Sequence, residues 1–346
     1  MSRVAVIFTG GTISMVRDPV AGGNVPSLDG AALLELVPGI DEIAELVPID
    51  LGRTPASHFT IARLLEIAAV IRRAQADPLI DGVVVVQGTD TIEESSFLWD
   101  LVLDGPEPVV VTGAMRTSSD PDFDGPRNLR DAVRVAASQS LRDSGVSVVL
   151  AGSIEPADTV VKTHTTALDT FRSLDAPRLG RVGGSRVGGS QVVLERARGP
   201  RRQVRTERAP EDVAVIVATT GSEGRALADA ASWARGIVVE ATGAGNTSPA
   251  LLAAGTRAIE RGIEVALTTR CPSGAVSEAY AFPGGGATWA RAGAILAGHL
   301  GGPKARIALA CGLGAGLDHA GLAALLADPD PKPGPHAAST TPSLPR

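Results

Sequence analysis

Short runs of apolar, mostly β-branched residues recur along the 346-residue chain, and most of them end in a turn rich in glycine or hydroxyl residues. Several runs are apolar at consecutive positions, which is typical of strands that helices cover on both faces. We therefore predict buried strands at residues 4–8, 83–86, 109–112, 147–150, 213–218, 237–240, 265–268 and 307–310.

Segments with apolar residues at helical spacing lie between these strands, at residues 61–74, 129–141, 226–235 and 249–261. Alternation of strands and helices is typical of α/β proteins with a parallel sheet. The sequence therefore predicts a two-domain α/β fold. It has a larger N-terminal domain, whose mostly parallel sheet is flanked by helices, and a smaller C-terminal α/β domain.

The composition changes between about residues 180 and 212, where Gly, Arg and Ser replace the helical pattern. We predict a first domain over residues 1–190, a linker over 191–210 that includes a short strand at 191–195, and a second domain over 211–327. Residues 328–346 are rich in Pro and Ser and are predicted to be disordered. The arginine-rich run at 196–208 favours a solvated linker over an RNA-binding surface.

Charge and composition exclude several classes of function. The formal net charge of -6 and the aromatic content of 3% argue against binding of nucleic acid, which needs basic surfaces or stacking platforms. The chain shows no cleavable leader and no apolar run long enough for a membrane span, so we expect a cytoplasmic protein without a membrane partner. Its two cysteines and five histidines show no metal-ligand spacing, so no metal site is predicted.

Three predicted strands end in loops that combine glycine with threonine, at residues 9–13 (TGGTI), 87–91 (QGTDT) and 112–116 (TGAMR). Ligands of open α/β sheets bind beyond the carboxyl ends of the strands. Glycine lets the backbone approach a ligand closely, and threonine supplies a hydroxyl. None of these loops contains a P-loop or a G-x-G-x-x-G fingerprint, so a dinucleotide-dependent oxidoreductase is only a distant alternative.

Four ordered motifs, TGGTIS at 9–14, QGTDTIEE at 87–94, TGAMR at 112–116 and VVKTHTT at 160–166, together resemble the bacterial-type L-asparaginase family. The segments DGPRNLRDAV at 124–133 and VVEATGAGN at 238–246 are similar to that family as well, so the resemblance covers most of residues 3–315.

This resemblance implies hydrolysis of L-asparagine to L-aspartate and ammonia through a threonine nucleophile, without a cofactor. It also implies a homodimer or homotetramer with sites at subunit contacts. Two alternatives stay open. One is a mixed glutaminase-asparaginase that also accepts L-glutamine, and the other is a catalytically weak amino-acid-binding relative.

Thr12, next to Gly11, matches the family's nucleophile, and Thr89, Asp90 and Lys162 match its second polar set. A lysine partly withdrawn from water is disfavoured as a cation, so Lys162 can accept a proton from the Thr89 hydroxyl. Which threonine attacks first is not decided by the sequence. The simple alternative for Lys162 is a solvated surface lysine.

The resemblance also implies substrate contacts. Asp90 would pair with the α-ammonium group, although Asp90 and Glu93 also fit a D-x-x-E helix cap. Ser57, followed by His58, falls where the family holds the α-carboxylate, and a cap for the helix at 61–74 is its alternative.

Backbone groups are expected to complete the substrate site. Peptide N–H groups near Thr12 and Thr89, including the Gly88 turn, would form an oxyanion hole. The carbonyl of Ala114 falls where the family approaches the substrate carboxamide.

The sequence departs from the family pattern in the loop at residues 14–30, which we interpret as a lid. Many family members carry a tyrosine there, whereas Val25 stands near that place in this chain. Tyr280 is the chain's single tyrosine, and we hypothesise that it reaches Thr12 from a neighbouring subunit. Glu278 is a substitute for the acidic residue that this second loop usually carries.

Asn246 and Ser248 lie where some relatives contact the neighbouring site, and Ser248 is the nearer match. The alternative for both is a cap of the helix that starts at residue 249.

Overall fold

The computed structural model describes residues 1–185 and 189–329. In the N-terminal part, the helices are α1 (Gly30–Glu35), α2 (Ile61–Gln75), α3 (Ile92–Val102) and α4 (Gly125–Ala136). The strands there are β1 (Arg3–Phe8), β2 (Met15–Asp18), β3 (Gly23–Pro26), β4 (Glu45–Asp50), β5 (Gly82–Val86), β6 (Val109–Thr112), β7 (Val146–Leu150), β8 (Ser153–Pro156), β9 (Val160–Lys162), β10 (Phe171–Ser173), β11 (Gly180–Ser185) and β12 (Gly189–Leu194).

The N-terminal part is built on an eight-stranded sheet with the order β12-β11-β8-β7-β6-β5-β1-β4. Strands β4, β1, β5, β6 and β7 are parallel, whereas β7, β8, β11 and β12 pair antiparallel. Apolar clusters cover both faces: Ile67 and Trp99 belong to one, and Leu129 and Val133 belong to the other. Burial on both faces explains why β5 and β6 are apolar at almost every position.

The C-terminal part contains strands β13 (Val213–Val217), β14 (Gly236–Ala241), β15 (Glu264–Thr269) and β16 (Ile295–Leu296) and helices α5 (Arg225–Ala230), α6 (Pro249–Glu260), α7 (Gly286–Arg291), α8 (Gly302–Gly314) and α9 (His319–Leu326). Its four strands pair in chain order, and all of these pairs are parallel. The predicted two-domain α/β fold is confirmed. No helix in the described ranges is both long enough and apolar enough to cross a membrane.

The predicted strand at residues 307–310 is wrong, because these residues lie inside helix α8. Helix α8 contacts α3 of the N-terminal part and strands β13–β15 of the C-terminal part, so it is buried on nearly all sides. A helix that is buried all round has no polar stripe. A short apolar run within it cannot be distinguished from a buried strand by its pattern.

All four predicted helices occur, but their ends differ from the predicted ones. Helices α2 and α6 match the predictions at 61–74 and 249–261 within one residue at each end. The helix predicted at 129–141 begins earlier, at Gly125, and ends at Ala136, and a 3-10 turn follows at Gln139–Leu141. The helix predicted at 226–235 ends at Ala230, five residues early. The strand predicted at 191–195 corresponds to β12, which begins at Gly189 and ends one residue earlier, at Leu194.

The segment 195–212, which joins β12 to β13, is fixed by buried ion pairs and is not the solvated linker that we expected. The Arg198 side chain is 5% exposed and donates to Asp100 at 2.7 Å and to Asp158 at 2.9 Å. Arg201 also donates to Asp100, at 3.0 Å. Each guanidinium can be buried because carboxylates and backbone carbonyls pair with its N–H groups.

Arg202 extends this arrangement to the end of the described chain. It donates to Asp328 at 2.8 Å, and the same carboxylate contacts His299 Nδ1 at 2.7 Å. Asp328, which was predicted to begin a disordered tail, is therefore held by contacts with two side chains. The rest of that prediction, residues 330–346, lies outside the described residues.

Replacing Arg198 tests the contribution of the buried ion pairs. The Arg198→Met variant leaves the 3%-exposed Asp100 carboxylate with one guanidinium fewer, so we expect the free energy of unfolding to fall by about 3 kcal/mol. In the matched control Arg205→Met, the 93%-exposed Arg205 loses its pair with Asp104, and we expect a change below about 1 kcal/mol. Urea unfolding followed by fluorescence measures both. Equal effects of the two substitutions would contradict the structural role assigned to Arg198.

Candidate active site

The loop after β1 places Thr12 against the loop after β5. Gly10 and Gly11 have φ angles of +105° and +99°, in the region that favours glycine. A Cβ atom on Gly11 would lie 2.2 Å from the Gly88 nitrogen, so only glycine permits this approach of the two backbones. Thr12 then begins a short 3-10 helix over Thr12–Ser14, and the Ser14 hydroxyl closes it by donating to the Gly11 carbonyl at 2.8 Å.

The loop after β5 carries Thr89 in a second 3-10 helix, Thr89–Thr91, immediately before α3. The Thr89 side chain is buried, at 4% exposure. The Thr91 hydroxyl donates to the Ala56 carbonyl at 3.2 Å, and a Cβ on Gly88 would lie 3.0 Å from the Ala56 methyl group. These contacts bring the segment that carries Ser57 next to Thr89.

Ser57 and His58 lie exposed in the 3-10 helix Ala56–His58. The alternative interpretation of Ser57, a cap for α2, is wrong. Thr60 is the N-cap residue, and its hydroxyl accepts from the Arg63 nitrogen at 3.0 Å. The Ser57 side chain is therefore not needed at the end of the helix.

Lys162 contacts both other members of the second polar set, Thr89 and Asp90. It is the last residue of β9, which pairs antiparallel with β10 in a ribbon separate from the large sheet. Its Nζ atom donates to Thr89 Oγ1 at 3.0 Å and to Asp90 Oδ1 at 2.7 Å. The Lys162 side chain is 15% exposed, whereas that of Asp90 is 74% exposed. The structure therefore places a largely buried amine on the threonine hydroxyl and leaves the carboxylate accessible from solvent.

The D-x-x-E pattern of Asp90 and Glu93 does not cap α3. The N-cap residue is Thr91, and no side chain makes the capping hydrogen bond. Instead Glu93 Oε2 accepts from the backbone nitrogen of Lys162 at 2.9 Å. Both carboxylates therefore hold Lys162, Asp90 through the side chain and Glu93 through the backbone. The contact of Glu93 was missed in the sequence because Lys162 lies 69 residues away.

The loop after β6 completes the site with the buried Ala114. A Cβ atom on Gly113 would lie 2.5 Å from the Gln87 carbonyl and 3.2 Å from Thr89 Cγ2, so this loop directly contacts the one that carries Thr89. Three strand-end loops of the parallel sheet therefore meet at one place, as the carboxyl-edge argument predicts.

Two residues at the start of α4 hold that third loop, and the sequence analysis assigned neither of them a role. The Asp124 carboxylate accepts from the backbone nitrogens of Met115 at 3.1 Å and Arg116 at 2.9 Å. Asn128 Nδ2 donates to the Gly113 carbonyl at 3.0 Å. The segment DGPRN at 124–128 is similar to the family, but Asp124 and Asn128 bind backbone atoms. No sequence pattern specifies such contacts.

The segment predicted as a lid contains a β-hairpin. Strands β2 and β3 pair antiparallel, with Val25 opposite Val16. The hairpin is fastened to the loop after β6, because the Ser118 hydroxyl donates to the Met15 carbonyl at 3.1 Å and the Arg17 nitrogen donates to Ser119 Oγ at 2.9 Å. The chain thus connects Thr12 directly to an ordered hairpin that lacks a tyrosine.

Comparison with known proteins identifies the family of the chain. Residues 3–193 match the family model described as Asparaginase, N-terminal, and residues 212–326 match the Glutaminase/Asparaginase C-terminal domain. The chain belongs to the asparaginase family. It is 36% identical over 311 residues to a probable L-asparaginase of Deinococcus radiodurans, a match that covers 89% of this chain and 92% of that protein.

Other asparaginases match over similar lengths. An L-asparaginase of Bacillus licheniformis is 30% identical over 312 residues, which are 89% of this chain and 94% of the relative. The crystal structure of a probable cytoplasmic L-asparaginase from Campylobacter jejuni superposes with a TM-score of 0.82 at 27% identity, covering 94% of this chain and 99% of that one. The prediction of an asparagine amidohydrolase, made from four motifs, is confirmed at the level of the family.

Two residues that asparaginase motifs suggested, Ser248 and Tyr280, lie in the C-terminal part. Ser248 caps α6, accepting from the Leu251 nitrogen at 3.1 Å while donating to the Ser222 carbonyl at 2.6 Å. Tyr280 is 46% exposed, and its ring contacts that of Phe282 with 5.8 Å between centroids. In the described part of the chain, no hydrogen bond joins either side chain to Thr12 or Thr89.

The cysteine thiol inside this asparaginase fold is not a candidate nucleophile. Cys311 lies within α8, and burial raises the pKa of its thiol to about 12, so it is protonated at neutral pH. Among residues 1–185 and 189–329, no group of three or more His, Cys, Asp or Glu side chains is arranged to hold a metal ion. The hydroxyls of Thr12 and Thr89 follow the loops that meet at Gly11 and Gly88, and they are the nucleophile candidates that the motifs indicate.

Proposed function

We propose that this protein hydrolyses the side-chain amide of L-asparagine, with Thr12 as the nucleophile and with Thr89, Lys162 and Asp90 as its proton-transfer set. The observation that supports this assignment most strongly is the double contact of Lys162 Nζ, 3.0 Å from Thr89 Oγ1 and 2.7 Å from Asp90 Oδ1. An amino-acid-binding protein needs a carboxylate for the substrate ammonium. It does not need a buried amine on a threonine hydroxyl.

In the proposed reaction, the Thr12 oxygen attacks the side-chain carbonyl carbon of asparagine, and its proton moves to a base. The backbone N–H groups next to Thr12 and Thr89 stabilise the negative oxygen of the tetrahedral intermediate. The amide nitrogen takes up a proton and leaves as ammonia, so an aspartyl ester of Thr12 remains. Water then attacks the ester carbonyl, and one of its protons moves through Thr89 to the Lys162 amine. The leaving Thr12 oxygen takes up a proton, so L-aspartate is released and the Thr12 hydroxyl is restored.

The substrate contacts follow from exposure and position. Asp90 is 74% exposed although it bonds Lys162, so the α-ammonium group of the substrate can approach its carboxylate. Ser57 and His58 are exposed beside the same loop, and we assign the α-carboxylate to them. We assign the carboxamide to the backbones of Gly11 and Gly88, which approach each other closely, and to Ala114 next to Gly113 in the loop that contacts Gln87 and Thr89.

Three further properties are proposals. Glutamine is a second possible substrate, because the matching C-terminal family model covers glutaminases as well as asparaginases. A cytoplasmic location is supported by the likeness to the Campylobacter jejuni protein, which is described as a probable cytoplasmic L-asparaginase. A homodimer or homotetramer is supported by the position of Ser248 and Tyr280, which lie in the C-terminal part and not at the loops that carry Thr12 and Thr89.

Ammonia release by the purified protein tests the proposed function. With L-asparagine as substrate we expect Thr12→Ala to abolish release and Lys162→Met to lower kcat by roughly 10²- to 10⁴-fold, because general acid–base assistance is lost. Arg172→Met is the matched control, since Arg172 lies on the paired strand β10 and forms an exposed ion pair with Asp169. Full activity of the Lys162→Met variant would contradict the role assigned to the amine. L-Glutamine measured in parallel decides between the two substrates.

Mixing an inactive Thr12→Ala variant with an impaired Tyr280→Phe variant tests whether Tyr280 acts across a subunit contact. We expect Tyr280→Phe to lower kcat, because the hydroxyl that assists Thr12 is removed. When Thr12→Ala and Tyr280→Phe subunits are unfolded together and reassembled, mixed oligomers contain sites with an intact Thr12 and an intact partner Tyr280, so activity should return. Tyr280→Phe turnover equal to that of the unchanged protein, or no recovery in the mixture, would overturn the hypothesis.

A further inference from the structure

A buried lysine of the C-terminal part reaches into the N-terminal part directly ahead of Lys162. Lys304 lies in the first turn of α8 and is 4% exposed. Its Nζ atom donates to the carbonyls of Ala157 at 3.0 Å, Asp158 at 3.0 Å and Val160 at 2.6 Å. An ammonium group has three N–H donors, and all of them are used here. Ala157 and Asp158 lie in the segment that leads into β9, and Val160 is the first residue of this strand, which ends at Lys162.

Strand β9 depends on such outside contacts. It has three residues and pairs only with the equally short β10 within the described chain. An isolated two-stranded ribbon is marginally stable at best. Glu93 holds the end of β9 by accepting from the Lys162 nitrogen, and Lys304 holds its beginning at the Val160 carbonyl. Two residues of a strand span roughly 7 Å, so the two anchors bracket the whole strand.

We infer that Lys304 is a positioning residue for the reaction: through its three hydrogen bonds the C-terminal part holds β9 in the place that puts Lys162 Nζ on Thr89 and Asp90. This inference rests on the proposed function of Lys162. It assigns a catalytic purpose to a cation that does not itself touch the substrate site. It also gives a reason for a lysine between α8 and the start of β9, where an apolar side chain would avoid the cost of burying a charge.

The charged groups around Lys304 make the anchor sensitive to pH. Burial lowers the pKa of Lys304 to about 8, and the carboxylates of Glu93, Asp158 and Asp100 oppose this shift while Arg198 adds to it. The ring of Phe97 lies 5.7 Å from Nζ and provides no proton acceptor. As the pH rises through about 8, the amine loses its proton and keeps two N–H donors for three carbonyls. One of the three hydrogen bonds from Lys304 is then lost, and we expect Lys162 Nζ to be positioned less precisely on Thr89 and Asp90.

Two substitutions separate positioning from folding. Lys304→Met removes every donor but keeps an unbranched side chain, and we expect kcat to fall roughly tenfold to a hundredfold with KM changed by less than about twofold. Lys304→Gln keeps N–H donors but does not titrate near pH 8. We expect the kcat of the unchanged protein to decline as the pH rises through about 8 and the kcat of Lys304→Gln to show no such decline.

Arg306→Met is the matched control. Arg306 lies on the same helix and also donates to backbone carbonyls, those of Val213 at 2.9 Å and Glu211 at 3.0 Å, but not to the segment before β9. We expect its kcat to stay within about twofold of the unchanged protein. Circular dichroism and thermal unfolding show which variants fold. If Lys304→Met does not fold, the pH profiles of the unchanged protein and of Lys304→Gln still decide the question.

The outcomes are distinguishable from those of the proposed function. The inference is overturned if Lys304→Met keeps the kcat of the unchanged protein, or if Lys304→Gln shows the same alkaline decline in kcat as the unchanged protein. If Lys162→Met is inactive while Lys304→Met is fully active, the role of Lys162 stands and the inference about Lys304 fails. If Lys162→Met is itself fully active, the proposed function of Lys162 fails first.

Discussion

The pair of hydrogen bonds from Lys162 to Thr89 and Asp90 is the constraint on which the rest of the site depends. Thr89 reaches that position because β5 ends at Val86 in the middle of a parallel sheet. Lys162 reaches it from β9, outside the large sheet, so it must be held there by contacts of its own. Glu93 from α3 and Lys304 from α8 provide them. The contact of Lys162 with Thr89 therefore depends on the large sheet, on the β9–β10 ribbon and on helices from both parts of the chain.

Close backbone approach is the second requirement of this site. Gly11, Gly88 and Gly113 each lie where an added Cβ would come within 3.0 Å of a neighbouring loop. Without side chains at these positions, the loops after β1, β5 and β6 pack directly against one another. Their N–H groups and threonine hydroxyls can then face one small substrate. The abundance of glycine at strand ends is therefore a consequence of how tightly the three loops meet.

Much of the architecture was predictable, because continuous apolar strands followed by Gly-Thr loops have few other interpretations. The strands that carry Thr12, Thr89 and Ala114 were found in this way. The apolar and polar pattern gave wrong predictions where contacts between distant segments determine the structure. Helix α8 is buried on nearly all sides and resembled a strand, and Arg198 resembled a solvated residue because its partners Asp100 and Asp158 are distant in sequence.

The site could be predicted only in part, for a related reason. The motifs suggested Thr12, Thr89, Asp90 and Lys162, and the structure brings the last three together at hydrogen-bond distances. Asp124 and Asn128 were missed because they bind backbone atoms of another loop. Glu93 was considered as a cap because its real partner, the nitrogen of Lys162, follows only from the folded chain. Contacts to the backbone leave no pattern in side-chain identity.

The central claim is that Thr12 forms the covalent bond while Thr89 serves proton transfer with Lys162. The most direct test is to quench the reacting enzyme with acid, digest it with trypsin and locate the aspartyl ester by mass spectrometry. Cleavage after arginine separates the two threonines, since residues 4–17 contain Thr12 and residues 74–116 contain Thr89. We expect an aspartyl group on Thr12 in the peptide 4–17. An aspartyl group on Thr89 would contradict it.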